Sequence, residues 1–244
     1  MYLKNSLILV FSIFIYSFGN EKEVLSQSET INHKQWDILL KKHVDNEGNV
    51  DYKNFKKDST ALNIYLDHLA DNSPTDDWSK NETVAYYINI YNAGTVKLIV
   101  ENYPVKSIKD IKNPWLKKRI RIGDREWSLG GIEYKILRKI AEPRMHFAIN
   151  CASYSCPKLL NEAYTSDKLE SQLQTVTIDF LNDTKRNRIA QNRVQLSKIF
   201  KWYHKDFTKN SSLIAYINTL SGNNISNTIK IEYLEYDWTL NEKK

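Results

Sequence analysis

The sequence predicts an α+β fold: a single domain in which several helices pack on a small antiparallel or mixed sheet. Three observations predict it. Apolar residues recur at helical spacing in several segments, short extended segments flank tight turns as in hairpins, and the two kinds of segment are interleaved along the chain. With 7 glycines and 15 tyrosines in 244 residues, packed helices and aromatic-rich strands are favoured over a glycine-rich phosphate-binding fold.

The individual elements follow from apolar spacing and from start, stop and turn signals. Helices are predicted at residues 34–43, 62–69, 80–103, 132–140, 169–180, 197–207 and 213–220. The long third helix begins at a capping box, Ser79-Lys80-Asn81-Glu82, and ends before Pro104. Strands are predicted in hairpins at residues 118–128 and 188–196, in a buried segment at 145–151 and in a closing segment at 229–238.

The chain is predicted to have three regions: residues 1–19, residues 20–33 and residues 34–244. Lys4 and the apolar run at residues 7–18, followed by small residues before a cut after Gly19, are typical of a cleavable secretory signal peptide. Residues 20–33 read as a polar linker, and residues 34–244 as the domain. We therefore expect an exported protein (periplasmic, cell-surface or secreted) with no transmembrane span in the mature chain.

The net charge of +6 and the pI near 9.0 describe a basic protein. Residues 106–125 concentrate eight lysines and arginines. This stretch is either a solvated basic face or a contact for an anionic envelope polymer or a membrane surface, and a peptide partner also stays open. Nucleic acid is not an expected partner, because the chain is predicted to be exported and carries no nucleic-acid motif.

Both cysteines fall in one segment, residues 145–157, with the sequence MHFAINCASYSCP. A cysteine nucleophile needs thiolate character, a base and oxyanion donors. We assign Cys151 as nucleophile, His146 as base and Asn150 to the same catalytic set. In a regular strand His146 and Cys151 point to opposite faces, so the strand must bend near Asn150. Otherwise His204 is the remaining base.

The same cysteines have a second interpretation. Exported proteins favour disulfides, and Cys151 and Cys156 can close a small ring that contributes roughly 2 kcal/mol. Inert thiols are a third possibility. Zinc is not expected, because the spacing is not C-x-x-C and no fourth ligand is visible. No metal site and no cofactor are predicted.

A polar stripe runs along the long helix. Glu82, Asn89 and Asn92 project within roughly 80° of one another. We assign them to substrate binding opposite the cysteine loop, and Ser153 to substrate binding within that loop. The alternative is that they satisfy backbone groups of neighbouring loops, because buried polar groups need partners. Glu133 and Arg138 are expected to form a structural ion pair; the alternative is that they bind an anion.

Four segments together resemble the domain of unknown function 547 family: residues 146–159 (HFAINCASYSCPKL), 82–93 (ETVAYYINIYNA), 196–207 (LSKIFKWYHKDF) and 236–241 (YDWTLN). The resemblance runs from about residue 34 to the C-terminus. The family often has a histidine where this chain has Tyr134. Because the family's activity is not established, the resemblance implies a fold and candidate positions only.

A helix followed by a histidine-bearing strand is also similar to the transglutaminase and papain-like core, an analogy at the level of the fold. In that core the nucleophilic cysteine starts the helix, and the long helix here has no cysteine. Two functions therefore stay open. One is an exported cysteine-dependent hydrolase or acyltransferase that uses Cys151. The other is a non-catalytic envelope binding module in which Cys151 and Cys156 form a structural disulfide.

Overall fold

The computed structural model describes residues 30–222 and 224–244. The predicted signal peptide, residues 1–19, and all but the last four residues of the predicted linker lie outside this part of the chain. The described residues form an α+β fold, as predicted, with helices packed around two small sheets.

The helices account for most of the regular structure. In chain order they are α1 (Lys34–His43), α2 (Tyr52–Phe55), α3 (Ser59–Asp71), α4 (Lys80–Asn102), α5 (Leu129–Lys135), α6 (Leu169–Asn182), α7 (Lys198–Trp202), α8 (His204–Phe207) and α9 (Leu213–Ser221). The strands are β1 (Ile120–Ile122), β2 (Arg125–Trp127), β3 (Arg188–Ala190), β4 (Arg193–Leu196) and β5 (Ile231–Tyr233). Short 3₁₀ turns connect several of these elements, which is their usual role.

The long helix α4 forms the centre of the fold. Its residues are buried on nearly all sides, and it contacts α2, α3, α5 and α6. Ser79 caps its first turn by accepting a hydrogen bond from the Glu82 N–H. The reciprocal half of the predicted capping box is absent, because the Glu82 carboxylate instead accepts the Ile31 N–H at 3.1 Å. A helix with polar groups at this depth must find partners for them in the surrounding loops.

Both predicted hairpins are present. β1 and β2 pair antiparallel, with Ile120 opposite Trp127, across a turn in which Gly123 has a φ of 55°. β3 and β4 also pair antiparallel, and β5 joins β4 in parallel, with Val194 opposite Ile231. The second sheet is therefore mixed, and its last strand is shorter than the predicted closing segment.

The predicted strand at residues 145–151 is wrong. Residues Pro143–Phe147 form a 3₁₀ helix, capped by Glu142, whose side chain accepts the Arg144 N–H. Proline at the first helical position favours this turn, since its φ is already suited to a helix and it has no N–H to leave unpaired. The opposite-face objection to a contact between His146 and Cys151 therefore does not apply.

The two predicted helices nearest this segment are both divided. The one at residues 132–140 is α5 followed by a 3₁₀ turn, Leu137–Ile140. The one at residues 197–207 is divided at Tyr203 into α7 and α8. Tyr203, at the second break, stacks on the His146 ring.

The last residues of the predicted linker contact the domain. His33 is buried, and its Nδ1 lies 2.8 Å from the Tyr65 hydroxyl. Burial lowers the pKa of His33 to about 4, so the ring is neutral at neutral pH.

Within residues 30–222 and 224–244, no helix combines the length and apolar character that crossing a membrane requires.

Candidate functional site

The cysteine segment opens onto a cavity of about 320 Å³. Its wall is mostly aromatic, and no lysine or arginine is among the described residues that line it. The polar groups of the wall are two thiols, one carboxyl, one imidazole and several tyrosine hydroxyls. The residues that carry these groups, with the indole rings, are Tyr91, Trp115, Glu133, Tyr134, His146, Cys151, Cys156, Trp202, Tyr203, Tyr236 and Trp238. An apolar cavity with a few convergent polar groups is the usual form of a small-molecule site.

The two thiols lie in contact on one part of this wall. Cys151 Sγ and Cys156 Sγ are 2.6 Å apart, and both cysteines are free. The Cys151 N–H donates to Cys156 Sγ at 2.9 Å. Cys151 Sγ also lies 3.1 Å from Ser153 Oγ and 3.3 Å from the Tyr236 hydroxyl, which accepts the Ser153 hydroxyl at 3.0 Å. The cysteine pair thus lies within a hydrogen-bonded cluster.

These contacts affect the two thiols in opposite directions. Burial on its own would raise the pKa of Cys156, but hydrogen bonds from the Cys151 thiol, Tyr236 and the Cys151 N–H outweigh it and lower that pKa to about 7. The hydrogen bond to Cys156 and burial raise the pKa of Cys151 well above its ordinary value. At neutral pH about half of the Cys156 thiol is ionised, and in this form the pair shares one proton, which is held on Cys151.

The side chain of Asn150 holds the loop that carries the thiols through two hydrogen bonds. Its Nδ2 donates to the Pro157 carbonyl and its Oδ1 accepts the Ala152 N–H, both at 2.8 Å. Ala152 has a φ of 58°, an unusual conformation for a residue other than glycine. Asn150, assigned by sequence to the catalytic set, thus holds the loop in this strained conformation and does not line the cavity.

Two further groups fix the outer side of the loop. Arg186 donates to the carbonyls of Cys156 and Tyr154, at 2.6 and 2.7 Å, and forms an ion pair with Asp183. The C-terminal segment runs beside the loop, and the Tyr154 N–H donates to the Thr239 carbonyl at 2.7 Å. The same segment delivers Tyr236 and Trp238 to the cavity.

A histidine oriented by a carboxylate forms another part of the wall. His146 Nε2 lies 2.8 Å from Asp206 Oδ2, and the side chain of His146 is only 1% exposed. Arg138 holds Asp206 from the other side through two hydrogen bonds, at 2.6 and 2.8 Å. Tyr203 stacks on the imidazole, with ring centroids 4.0 Å apart. His146 Nδ1 is buried and has no hydrogen-bond partner among the described residues.

The charges around His146 set its protonation. Burial lowers its pKa, although Asp206 opposes the effect and Arg138 adds to it. The pKa of Asp206 is held far below its usual range by the hydrogen bonds from His146 and Arg138. At neutral pH the pair is therefore a neutral imidazole beside a carboxylate, the form in which histidine acts as a base.

Glu133 is the single carboxyl of the described cavity wall. The predicted ion pair between Glu133 and Arg138 does not form, because Arg138 binds Asp206 instead. Glu133 is 4% exposed; its Oε2 accepts a long hydrogen bond from the Tyr91 hydroxyl at 3.4 Å, and its Oε1 has no partner in the described chain. Burial raises the pKa of Glu133, and interactions with Tyr203 and Arg138 oppose this increase.

The polar stripe of α4 is not at the cavity. Asn92 donates to the Ala148 carbonyl at 3.0 Å and accepts the Asn150 N–H at 2.8 Å. Asn89 makes the same two kinds of bond to the backbone of Tyr164. Glu82 accepts the Ile31 N–H and lines a separate, polar cavity. These contacts are the ones expected if the polar residues of α4 form hydrogen bonds to the backbone of neighbouring loops and do not bind substrate.

Of the sequence-assigned residues, the structure brings Cys151, Ser153 and His146 to the cavity or its thiol cluster, although no hydrogen bond joins His146 to a thiol in the described chain. His204 is exposed and contacts Thr208, outside the cavity. Sequence reasoning missed Asp206 and Tyr236, although both lie in segments 196–207 and 236–241, which had been singled out. Polar residues in those segments were the available signal.

No cluster of three or more histidine, cysteine or acidic side chains in the described residues has an arrangement that could hold a metal ion. Residues 75–181 match the family model described as "Protein of unknown function, DUF547". The match includes the cysteine loop, His146 and Glu133, whereas the wall contributed by α7, Tyr203 and the C-terminal segment lies outside it. No curated protein and no solved structure matches the chain.

Proposed function

We propose that this protein, whose residues 75–181 match the model of the DUF547 family of proteins of unknown function, is an exported cysteine-dependent hydrolase or acyltransferase. One observation carries the proposal. A thiol pair that shares one proton and a histidine oriented by a carboxylate line the same aromatic cavity. Nucleophile, base and orienting group are the parts that covalent acyl transfer needs.

The hydrogen bonds favour Cys156 over Cys151 as the attacking sulfur. Cys156 Sγ accepts the Cys151 N–H, and its lowered pKa gives a large thiolate fraction at neutral pH. Cys151 keeps its proton and donates it to that sulfur. The sequence-based assignment of the nucleophile to Cys151 is therefore revised within the proposal to the pair, with Cys156 carrying the charge.

The proposed reaction has two steps. The Cys156 thiolate attacks the carbonyl carbon of an acyl substrate, the C–S bond of a thioester forms, and the leaving group departs with a proton from an acid of the cavity. In a hydrolase, water then attacks the thioester while His146 Nδ1 takes its proton, the C–S bond breaks, the carboxylic acid leaves and the Cys156 thiolate is regenerated. The proton on His146 then returns to the acid that protonated the leaving group. Asp206 keeps the proton of the neutral imidazole on Nε2, so Nδ1 stays an acceptor.

A second function is favoured by the short distance between the sulfurs. A disulfide has a bond of about 2.05 Å, so little movement separates the two thiols from a disulfide. An external disulfide would accept the two electrons and two protons that the thiols lose. The chain would then be a non-catalytic envelope binding module, with the aromatic cavity or the basic residues 106–125 as its contact surface for a glycan, a peptide or another anionic polymer.

An activated ester distinguishes the two functions. We expect the reduced full-length mature chain, mixed with 4-nitrophenyl acetate at neutral pH, to release a burst of one nitrophenolate per chain and to carry one acetyl group on Cys156. Peptide mass spectrometry locates the acetyl group. Cys156→Ser is expected to abolish the burst, because the serine hydroxyl is not ionised at this pH.

Cys151→Ser is the matched control, since it keeps a hydroxyl donor beside Cys156 and is expected to retain the burst. An acetyl group on Cys151 would contradict the assignment of the thiolate. A quantitative Cys151–Cys156 disulfide in the native protein, with no burst after reduction, would contradict the enzyme and support the binding module.

A further inference from the structure

The carboxyl of Glu133 is a buried polar group with an unused acceptor, and the proposed reaction of the thiols does not explain it. Its Oε1 has no hydrogen-bond partner in the described chain, whereas its Oε2 accepts the long bond from Tyr91, and the carboxyl also interacts with the Tyr203 hydroxyl. A buried acceptor without a partner costs about 1–3 kcal/mol. A ligand group that donates to this carboxyl would remove that cost.

Three tyrosines line the cavity together with this carboxyl. Tyr91, Tyr134 and Tyr203 line the cavity with Glu133, and the Tyr134 and Tyr203 rings are 6.4 Å apart. The faces of aromatic rings attract cations, and a carboxylate adds a counter-charge. We infer that this end of the cavity, formed by Glu133 with Tyr91, Tyr134 and Tyr203, binds a primary ammonium group, and that the acyl group of the proposed reaction is transferred to or from an amine.

The charges nearby are compatible with a cation. Arg138 lies over the Tyr134 and Tyr203 rings, at 4.9 and 5.6 Å from their centroids, but Asp206 binds its guanidinium through two hydrogen bonds. With Glu133 ionised, the sum of these three charges is negative. His146, which also lines the cavity, is neutral at neutral pH because burial lowers its pKa. Burial raises the pKa of Tyr91 and Tyr203, so their hydroxyls are uncharged as well.

The other aromatic cluster does not offer the same site. Trp115, Trp202, Tyr236 and Trp238 contact one another, and Lys109 already lies 5.3 Å from the Trp238 ring centroid. Unlike Arg138, whose charge is paired with Asp206, Lys109 makes no ion pair among the described residues, so its charge on that ring opposes a second cation. The ammonium subsite is therefore assigned to the Glu133 end, and the ring cluster next to the thiols is left for the acyl part of the substrate.

The chemistry of this assignment balances. When an amide is cleaved, the Cys156 sulfur takes the acyl carbon, the C–N bond breaks, and protonated Glu133 gives its proton to the nitrogen. The products are a thioester and an ammonium ion paired with the Glu133 carboxylate. In the reverse direction Glu133 takes a proton from the ammonium ion, and the free amine attacks the thioester. Both steps rest on the proposed function.

Binding can be tested without the thiols. In the full mature chain with both cysteines replaced, Cys151→Ser and Cys156→Ser, we expect n-butylamine to bind at least about tenfold more tightly than n-butanol, which has the same chain without the charge. Isothermal calorimetry at neutral pH gives both affinities. Butyrate is expected to bind more weakly than either, because Glu133 repels it.

Glu133→Gln is expected to abolish the preference for the amine. Glu82→Gln is the matched control, since Glu82 is equally buried, at 5% exposure, but lines the other cavity; the preference should persist. Glu133→Asp keeps the negative charge but moves it back from the cavity by one methylene, so we expect an intermediate preference for the amine. This variant replaces Glu133→Gln as the test if the glutamine variant does not fold. If the chain that keeps Glu133 binds butylamine and butanol with equal affinity, the inference is wrong, regardless of the results with the Glu133 variants.

The two proposals fail separately. Amine preference without an acyl-enzyme contradicts the proposed function and leaves the ammonium site in place. An acyl-enzyme at Cys156 without amine preference contradicts the ammonium site and leaves the cysteine chemistry in place.

Discussion

Replacing Asn92 with alanine is expected to lower the free energy of unfolding by about 3 kcal/mol and to slow the reaction of the thiols. The substitution leaves the Ala148 carbonyl and the Asn150 N–H unpaired in the core, and each such group costs about 1–3 kcal/mol. These two backbone groups lie directly before Cys151. A looser loop weakens the Cys151 N–H bond to Cys156 and raises the pKa of that thiol. Urea denaturation and the rate of alkylation at pH 7 measure the two effects.

Asn89→Ala is the matched control for this prediction. Asn89 lies on the same helix, is equally buried and makes the same two bonds, but to the backbone of Tyr164. Its replacement should cost a similar free energy and leave the alkylation rate of Cys156 unchanged. If both variants slow alkylation equally, the thiol responds to global stability, and the specific anchoring of the cysteine loop by Asn92 is wrong.

Replacing Asp206 with asparagine is expected to slow deacylation of the acetyl-enzyme by about 100-fold. The carboxylate holds His146 by Nε2 and stabilises its charged form as the imidazole takes a proton from water. Because Asp206 raises the pKa of His146, its removal also moves the midpoint of the pH profile to lower pH. The rate of loss of the acetyl group, followed by mass spectrometry across pH 4–9, measures both changes.

Arg138→Gln separates this positioning role from stability. It removes the same ion pair with Asp206 but keeps the bond from Asp206 to His146. Since Arg138 lowers the pKa of His146, its removal should move the midpoint of the profile upwards and change the rate only a few-fold. Midpoints that shift in the same direction in both variants would show that Asp206 acts only through the fold.

Elements defined by local signals were predictable from the sequence. The cap at Ser79 and the proline at position 104 predicted where α4 begins and ends, and the turn at Gly123-Asp124 predicted the first hairpin. Caps and turns depend on adjacent residues, so the sequence shows them directly. The segment at residues 145–151 was assigned wrongly. Its alternation of Met145, Phe147 and Ile149 is also compatible with a buried 3₁₀ turn, and a short apolar run does not distinguish the two.

The site was predictable only in part, for a related reason. The cysteine segment is local, so it was located directly. The contact between His146 and Asp206 joins residues 60 positions apart, and that between Cys151 and Tyr236 joins residues 85 apart. No spacing rule relates such positions. The role of Asn92 was open for the same reason, since the loop that it anchors is set by tertiary packing.

The pH dependence of alkylation of the two cysteines tests the shared-proton thiol pair most directly. In the reduced mature chain, with iodoacetamide and peptide mass spectrometry, we predict that Cys156 reacts first, with a midpoint near pH 7. At pH 7 about half of this thiol is then ionised, against about 3% for an ordinary cysteine. A midpoint at or above 8.5 for Cys156, or faster labelling of Cys151 than of Cys156 at neutral pH, would contradict it.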